Sequence, residues 1–334
     1  MIASIGRRPI AQQLIFATIA ALIGVFATLA LVVQYKADSA AVAVAERNLE
    51  HEAKLMAGML DSIFGAVKIR GEEESLFFSK FIGARPELGS GMVKIGNEVL
   101  NGNARHLKAF RDLTGDDTAF LVIHDKKLYR LATLLKDKDG KTMNGVQIPD
   151  NDPVAKAILA GQDYQGLAIR GGKYNFSTVK LLKGADGKAW GAYSVRISLE
   201  NDLKRIREQF GSQVAGKTGY VFIVRPTDEK AIGEFVLHPK LQGMMVGETD
   251  APAVAKAAIA ELLVRKNGLV RYGMYDASGA VREKIVYGAT SAAWGWTVAT
   301  GSWSDEYLEE SHRLRNIVMI VSAVAAIVLA LLIF

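Results

Sequence analysis

Two long apolar runs, one near each end of the chain, dominate its pattern of hydrophobic and polar positions. The first, residues 10–33, contains no charged residue. As a helix it would span roughly 36 Å, enough to cross a hydrocarbon core of about 30 Å. The second, residues 317–334, is also uncharged but lies at the lower limit of length for a span. The pattern therefore predicts two transmembrane helices, 10–33 and 317–334, around a water-soluble middle.

A cleaved signal peptide is the alternative for the first run, because Arg7 and Arg8 precede it. The length of the run favours an uncleaved anchor, since the apolar region of a signal peptide has about 7–15 residues. Charge does not fix the orientation, because Arg313 and Arg315 flank the second run on the side of the middle. The second run reaches the last residue given, so we expect either that an output module follows beyond Phe334 or that the protein ends within the inner leaflet.

The segment after the first run, 36–69, has the pattern of one long helix without proline. Val42, Leu49, Met56 and Ile63 recur at a spacing of seven residues and predict an apolar stripe along one face. The stripe fits either packing against its own domain or pairing with the same helix of a second copy. Glu52 interrupts it and argues against a continuous coiled coil.

Short strand-like runs separated by turn residues follow, with a period of two. Between the second and third runs, Asp152 precedes Pro153 and Gly161 ends the segment, which predicts one short capped helix. The five predicted strands of this part are 118–124, 128–135, 164–169, 174–182 and 190–198.

The same order of elements then repeats after a linker helix at 201–210. The repeat predicts strands at 220–224, 235–237, 269–275, 284–290 and 296–302, and a helix at 253–265. Two such units in tandem indicate an α+β fold in which each five-stranded antiparallel sheet carries helices on one face. The concave side of such a sheet commonly forms a pocket.

Composition and motifs exclude several classes of function. The net charge is +6, but basic and acidic residues alternate, so we expect no nucleic acid as a partner. The chain has no cysteine, and its five histidines are scattered, so no metal site is expected. Without a phosphate-binding loop or a nucleophile with its base, the sequence predicts neither an enzyme nor a bound cofactor.

Several short motifs, in this order and between two apolar runs, resemble a known family. The second unit contains Gly216-Lys-Thr-Gly-Tyr-Val-Phe-Ile-Val224, Leu237-His-Pro239 and Thr300-Gly-Ser-Trp303, which resemble Cache 2 modules. The first contains His124-Asp-Lys-Lys-Leu-Tyr-Arg-Leu-Ala-Thr133, which resembles Cache 3 modules. Together, residues 36–312 resemble the PAS-like Cache 3/Cache 2 fusion of bacterial chemotaxis receptors and sensor kinases.

The resemblance implies a membrane-distal module at 70–200, a membrane-proximal module at 201–312, and a homodimer. It also implies an inner-membrane protein with the central domain in the periplasm, in contact with the lipid bilayer at both spans. In related carboxylate sensors, an arginine on the second strand and a histidine three residues later contact the ligand. Arg130 matches the arginine and Thr133 replaces the histidine, which favours a monocarboxylate or amino acid over citrate.

Strand alternation adds further candidates for the wall of the ligand pocket. These are aromatic or basic residues of the third, fourth and fifth strands: Tyr164, Tyr174, Phe176, Trp190 and Arg196. Solvent exposure is the alternative for the basic side chains. His238 and Tyr220 are candidates for a second pocket, although a His-Pro pair more often closes a strand.

The sequence thus predicts a transmembrane sensor of the chemoreceptor type that binds a small carboxylate or amino acid and carries the signal across the inner membrane. A structural membrane subunit that uses the same fold for protein interaction is the alternative. An in-frame kinase or methyl-accepting coiled coil beyond Phe334 would exclude the alternative.

Overall fold

The structure, a computed structural model, describes residues 10–170, 173–227 and 230–333. It begins with a long helix, α1 (Ile10–Phe81). A small three-stranded antiparallel sheet follows, formed by β1 (Glu87–Gly89), β2 (Met92–Ile95) and β3 (Glu98–Val99), and then helix α2 (Arg105–Thr114). The sequence patterns predicted neither the small sheet nor α2.

The first five-stranded sheet consists of β4 (Asp117–His124), β5 (Lys127–Thr133), β6 (Tyr164–Arg170), β7 (Lys173–Lys183) and β8 (Ala189–Ser198). Helix α3 (Pro153–Leu159) lies between β5 and β6 in the chain. The strands are antiparallel and lie side by side in the order β5-β4-β8-β7-β6.

The second part begins with α4 (Glu200–Gly211), followed by β9 (Tyr220–Pro226), β10 (Gly233–Leu237), a short 3-10 helix (Val246–Glu248) and α5 (Ala253–Arg265). Strands β11 (Asn267–Tyr275), β12 (Val281–Thr290) and β13 (Thr297–Trp303) precede the last helix, α6 (Ser304–Ile333). Their sheet has the order β10-β9-β13-β12-β11, which is the order of the first sheet. The predicted α+β fold, with a long helix and two antiparallel five-stranded sheets, is confirmed.

The elements form two compact units. The first unit comprises residues 59–208, and the second combines the chain as far as Gly58 with the chain from Gln209 onward. Each unit has its own apolar core. In the second unit, the core includes Phe222, Val224, Phe235, Val246 and Leu262.

The predicted apolar stripe of α1 is largely buried within the chain. Leu49, Ala53, Met56, Leu60 and Val67 are each at most 8% exposed. Of the two alternatives for this stripe, the structure therefore favours packing against its own domain.

The two faces of the first sheet differ. One face packs against α1 and α2 through a cluster that includes Phe78, Phe110, Phe120 and Val195. The opposite face packs against α3, with Leu121, Leu128 and Ala192 of the sheet against Ala155 and Ile158. The side chains of the candidate site lie on this second face.

The predicted membrane spans lie within α1 and α6. Among the described residues, one helical stretch, Ile23–Phe81, contains a window long and apolar enough to cross a membrane, and none of that window is buried. The second predicted span, 317–334, belongs to α6 as far as Ile333, while Phe334 lies outside the described residues. The crossing of a membrane therefore remains a prediction.

Candidate functional site

A cavity of about 50 Å³ lies on the α3 side of the first sheet. Its walls come from β4, β5, β7, β8 and the segment that leads into α3. The residues that line it are Ala119, Leu121, Arg130, Thr133, Leu135, Ile148, Asp152, Val154, Ser177, Val179, Ser194 and Arg196.

A β-bulge in β5 places Arg130 and Thr133 on the same face. Residues three apart on a regular strand point to opposite faces. Here Thr133 pairs with Ala119 and Arg130 pairs with Leu121, so that the partner strand advances two residues while β5 advances three. The extra residue turns Leu131 and Ala132 to the α1 side, where both join the apolar cluster. The predicted Arg-x-x-Thr pair therefore reaches one cavity.

The central strand β8 supplies the second arginine. Arg196 pairs with Ser177 of β7, and Ser194 pairs with Val179, so these four side chains share one face. The register places Ser194 between the strand levels of Arg130 and Arg196. Two levels and two strand spacings separate the arginine Cα atoms by about 16 Å. An arginine side chain is long enough for both guanidinium groups to reach the space between these two Cα atoms.

The segment after β5 closes the cavity and is held by main-chain hydrogen bonds. The amide of Gly145 donates to the carbonyl of Arg130 (2.7 Å), and the amide of Ile148 donates to that of Leu128 (2.8 Å). The side chain of Asn144 accepts a hydrogen bond from the amide of Thr133 at 2.8 Å. This segment thereby covers the edge of β5 and brings Leu135 and Ile148 over the cavity.

Charge in the cavity comes from three buried or partly buried side chains. Arg130 and Arg196 are each 9% exposed. Nη1 of Arg130 lies 3.5 Å from the carbonyl oxygen of Gln147. Asp152 is the N-cap of α3, and its Oδ1 accepts a hydrogen bond from the amide of Val154 at 2.8 Å. Two guanidinium groups and one carboxylate give the described lining a net charge of +1.

Four of the predicted site residues do not line this cavity. Phe176 packs edge to face on Phe64 of α1, with ring centroids 5.5 Å apart, and Tyr174 lies two residues before it on β7. The prediction that these two residues share a wall with Arg196 is wrong, because Arg196 pairs with Ser177 and not with an even-numbered residue of β7.

Trp190 and Tyr164 are displaced for different reasons. A bulge separates the Gly191–Leu182 pair from the Ala189–Lys183 pair, and it turns Trp190 to the α1 side. Tyr164 lies on the α3 face but packs into the apolar cluster beside the cavity. Of the seven predicted residues, the cavity therefore unites Arg130, Thr133 and Arg196.

Sequence reasoning missed Ser177, Ser194 and Asp152 as site residues. Strand alternation already places Ser194 on the face of Arg196, whereas Ser177 is placed there by the register of β7 and β8. The sequence predicted Asp152 as a helix cap. Its position in the cavity wall depends on where α3 packs, which the sequence does not show.

The candidates of the second unit form an aromatic cluster. The rings of Tyr220 and His238 lie 5.1 Å apart, and Phe235 lies 4.8 Å from His238. Nζ of Lys284 stands 3.8 Å from the centroid of the Tyr220 ring, a cation–π contact. Burial lowers the pKa of Lys284 to about 8. These contacts give Tyr220 and His238 a place in the core of the second unit.

The described residues contain no group of three or more histidine, aspartate or glutamate side chains arranged to hold a metal ion. The chemistry that the first cavity offers is therefore recognition of an anion by guanidinium and hydroxyl groups, with apolar contacts from the surrounding strands.

Comparison with solved structures finds similar folds at low sequence identity. The extracellular domain of the putative histidine kinase mmHK1S-Z2 is 12% identical and has a TM-score of 0.46, and the match covers 79% of this chain and 99% of that one. The ligand-binding domain of the Campylobacter jejuni chemoreceptor Tlp3, in complex with 4-methylisoleucine, is 10% identical with a TM-score of 0.46, covering 79% and 94%. That of Mlp24 with asparagine is 14% identical with a TM-score of 0.45, covering 84% and 99%.

Comparison with curated proteins gives no match. A family model, the Cache 3/Cache 2 fusion domain, matches residues 34–317, which is most of the chain. The match confirms the resemblance that the sequence motifs indicated, and it includes both five-stranded sheets. The chain belongs to the Cache 3/Cache 2 fusion domain family.

Proposed function

We propose that this chain is the sensory part of a membrane receptor, and that its first unit binds a small carboxylate or amino acid. The observation that carries the proposal is the presence of two arginines, each 9% exposed, on one small cavity. Cache domains are ligand-binding modules, so the chain is proposed to act without catalysis.

The physical argument concerns the cost of buried charge. A guanidinium group removed from water requires an anion or several hydrogen-bond acceptors around it. Two such groups face a lining whose described residues include one carboxylate, Asp152. An anionic ligand would complement the net positive charge of the described lining, and the planar fork of arginine matches a carboxylate in shape.

Ligand binding has a direct mechanical route out of the cavity. Strands β4, β5, β7 and β8 carry the cavity on one face and contact α1 with the other. We consider two arrangements of the sheet against α1. A ligand that binds one arrangement more tightly increases the population of that arrangement. Because α1 is one continuous helix from Ile10, a change in its packing would be transmitted along the helix to the predicted first span.

We further propose that the chain spans the inner membrane at 10–33 and 317–334, with both units in the periplasm, and that it forms a homodimer. The exposed apolar window within Ile23–Phe81 supports the first span. Several apolar side chains of the second span are exposed as well, including Ile317, Met319 and Val321.

Calorimetric titration of the full chain in lipid nanodiscs tests the ligand proposal. A panel of small mono- and dicarboxylates and amino acids is titrated into the wild type and into Arg130→Ala and Arg196→Ala. Each substitution is expected to weaken binding at least tenfold, because it removes a charge-assisted hydrogen bond and leaves the ligand anion less compensated. The matched control is Arg205→Ala, an exposed arginine of α4.

Unchanged affinity in both cavity variants would refute the assignment of the site. Absence of binding across the whole panel would instead favour the structural subunit that the sequence left open as an alternative.

A further inference from the structure

We propose that the cavity of the first unit is built for a short 2-hydroxy or 2-oxo monocarboxylate. Such a ligand has one carboxylate and one oxygen on the adjacent carbon. The inference rests on the proposed function and narrows it to one class of carboxylate.

Two serine hydroxyl groups in the cavity carry the inference. Ser177 is 5% exposed and Ser194 is 8% exposed, and both line the cavity. Neither hydroxyl makes a hydrogen bond with any part of the chain that the structure describes. Buried polar groups are nearly always hydrogen-bonded in folded proteins. The two hydroxyls are therefore available to a polar atom of a ligand.

The position of the serines indicates that the polar atom of the ligand lies close to its carboxylate. The register places Ser194 between the levels of Arg130 and Arg196 on the same face, and Ser177 is the direct cross-strand partner of Arg196. A carboxylate bound by Arg196 would consequently lie beside both hydroxyls. An oxygen one carbon away from the carboxylate is within reach of a serine, which can donate to a carbonyl and either donate to or accept from a hydroxyl.

Volume and charge limit the rest of the ligand. A cavity of about 50 Å³ holds about four water-sized groups, since each water needs roughly 10–15 Å³ on this scale. This room suits a ligand of about three carbons and is too small for a branched amino acid. The net charge of +1 of the described lining matches a monoanion better than a zwitterion or a dianion.

The apolar part of the wall accommodates a methyl group. Ala119, Leu121 and Val179 lie on the sheet between the polar residues, and Ile148 covers them from the closing segment. A methyl group can pack against these side chains without leaving a polar group unpaired.

The test compares ligands that differ by one group. The full chain in lipid nanodiscs is titrated calorimetrically with propionate, L-lactate, pyruvate, L-alanine and L-malate at pH 7. L-lactate or pyruvate is expected to bind about tenfold or more tightly than propionate, through one additional hydrogen bond in a site with charged partners. The double variant Ser177→Ala/Ser194→Ala is expected to lose this preference and to bind L-lactate, pyruvate and propionate with about equal affinity. Ser79→Ala on α1, whose hydroxyl donates to the carbonyl of Leu76, serves as the control and is expected to change neither value.

Four results would overturn the inference. Equal affinity for propionate and L-lactate, or a preference that survives in the double variant, would leave the carboxylate sensor standing without a role for the serines. Tightest binding of L-alanine or L-malate would exclude this ligand class but keep the arginine site. If no acid of the panel binds, the proposed function fails together with the inference.

Discussion

His238 couples the stability of the second unit to pH. Its Nδ1 accepts hydrogen bonds from the amides of Lys240 and Leu241, both at 3.1 Å. Protonation of Nδ1 would break both bonds and place a charge among aromatic rings. Burial, with the charges of Lys284 and Lys240 as smaller causes, lowers the pKa of His238 to about 4.

The sign of the pH effect follows from proton linkage. Histidine in an unfolded chain has a pKa of about 6.5, so between pH 6.5 and 4 the unfolded state binds more protons than the folded state. We expect the free energy of unfolding to fall by up to about 3 kcal/mol over this window as the pH decreases. Thermal unfolding of the full chain between pH 7.5 and 4 measures it.

His238→Asn separates this residue from other acid-sensitive groups. The Asn side chain keeps an acceptor oxygen for the two amides but does not titrate. The variant should lose less stability on acidification than the wild type, whereas His124→Asn, at an exposed site, should follow the wild type. A parallel loss in His238→Asn and wild type would show that His238 is not the responsible group.

At the scale of single residues, the sequence predicted the charge of the site better than its geometry. Arg130 and Thr133 were predicted from the resemblance to related carboxylate sensors, and Arg196 from strand alternation. Trp190 was misplaced because strict alternation fails at a bulge in β8, whereas another bulge, in β5, brings Thr133 to the cavity. Tyr174 and Phe176 were misplaced because Arg196 pairs with Ser177. Bulges depend on the partner strand, which a single strand pattern does not contain.

At the scale of elements, Gly71 marks the closest approach of α1 to the first sheet. A Cβ atom at this position would lie 2.7 Å from Oγ1 of Thr178 and 3.0 Å from Cδ1 of Phe176. Glycine within a helix costs about 1 kcal/mol relative to alanine. The helix therefore gives up some intrinsic stability for a tight contact with β7.

Two glycine-to-alanine substitutions on the same helix test this contact. Gly71→Ala is expected to destabilise the first unit by about 1–3 kcal/mol, because the methyl group overpacks a buried contact. Gly65→Ala, where a Cβ would have nothing within 4 Å, should stabilise it by about 0.5–1 kcal/mol through helix propensity. Chemical unfolding of both variants provides the measurement. Stabilisation by both substitutions would mean that α1 does not approach β7 this closely.

The regular elements could be predicted wherever a pattern was long enough to show its period. The ten strands of the two large sheets have clear turn residues between them, and α5 was predicted with its observed bounds. The small sheet was not predicted, because β1, β2 and β3 contain only two to four residues each, too few to establish a period. The extension of α1 to Phe81 was also missed, since it passes through Gly71 and a run of charged residues.

At the scale of the whole molecule, α1 offers a second apolar stripe that its own chain leaves exposed. Val44, Leu55, Met59 and Ile69 are between 40% and 62% exposed. They recur at spacings that place them on one side of the helix, roughly opposite the buried Ala53 and Leu60. The predicted apolar stripe is thus buried within the chain, and this second stripe is a face that a second copy could contact.

Disulfide cross-linking of the full chain in membranes tests the proposed dimer. The chain has no cysteine, so a single introduced cysteine can form a disulfide only with the same residue of another copy. Leu55→Cys and Val44→Cys, three helical turns apart on the exposed stripe, are expected to give covalent dimers under mild oxidation. Lys54→Cys is the matched control, because it is also exposed but rotated by about 100° around the helix. Cross-linking of all three positions to the same extent would indicate random collision, and cross-linking at Lys54→Cys alone would place the interface on another face of α1.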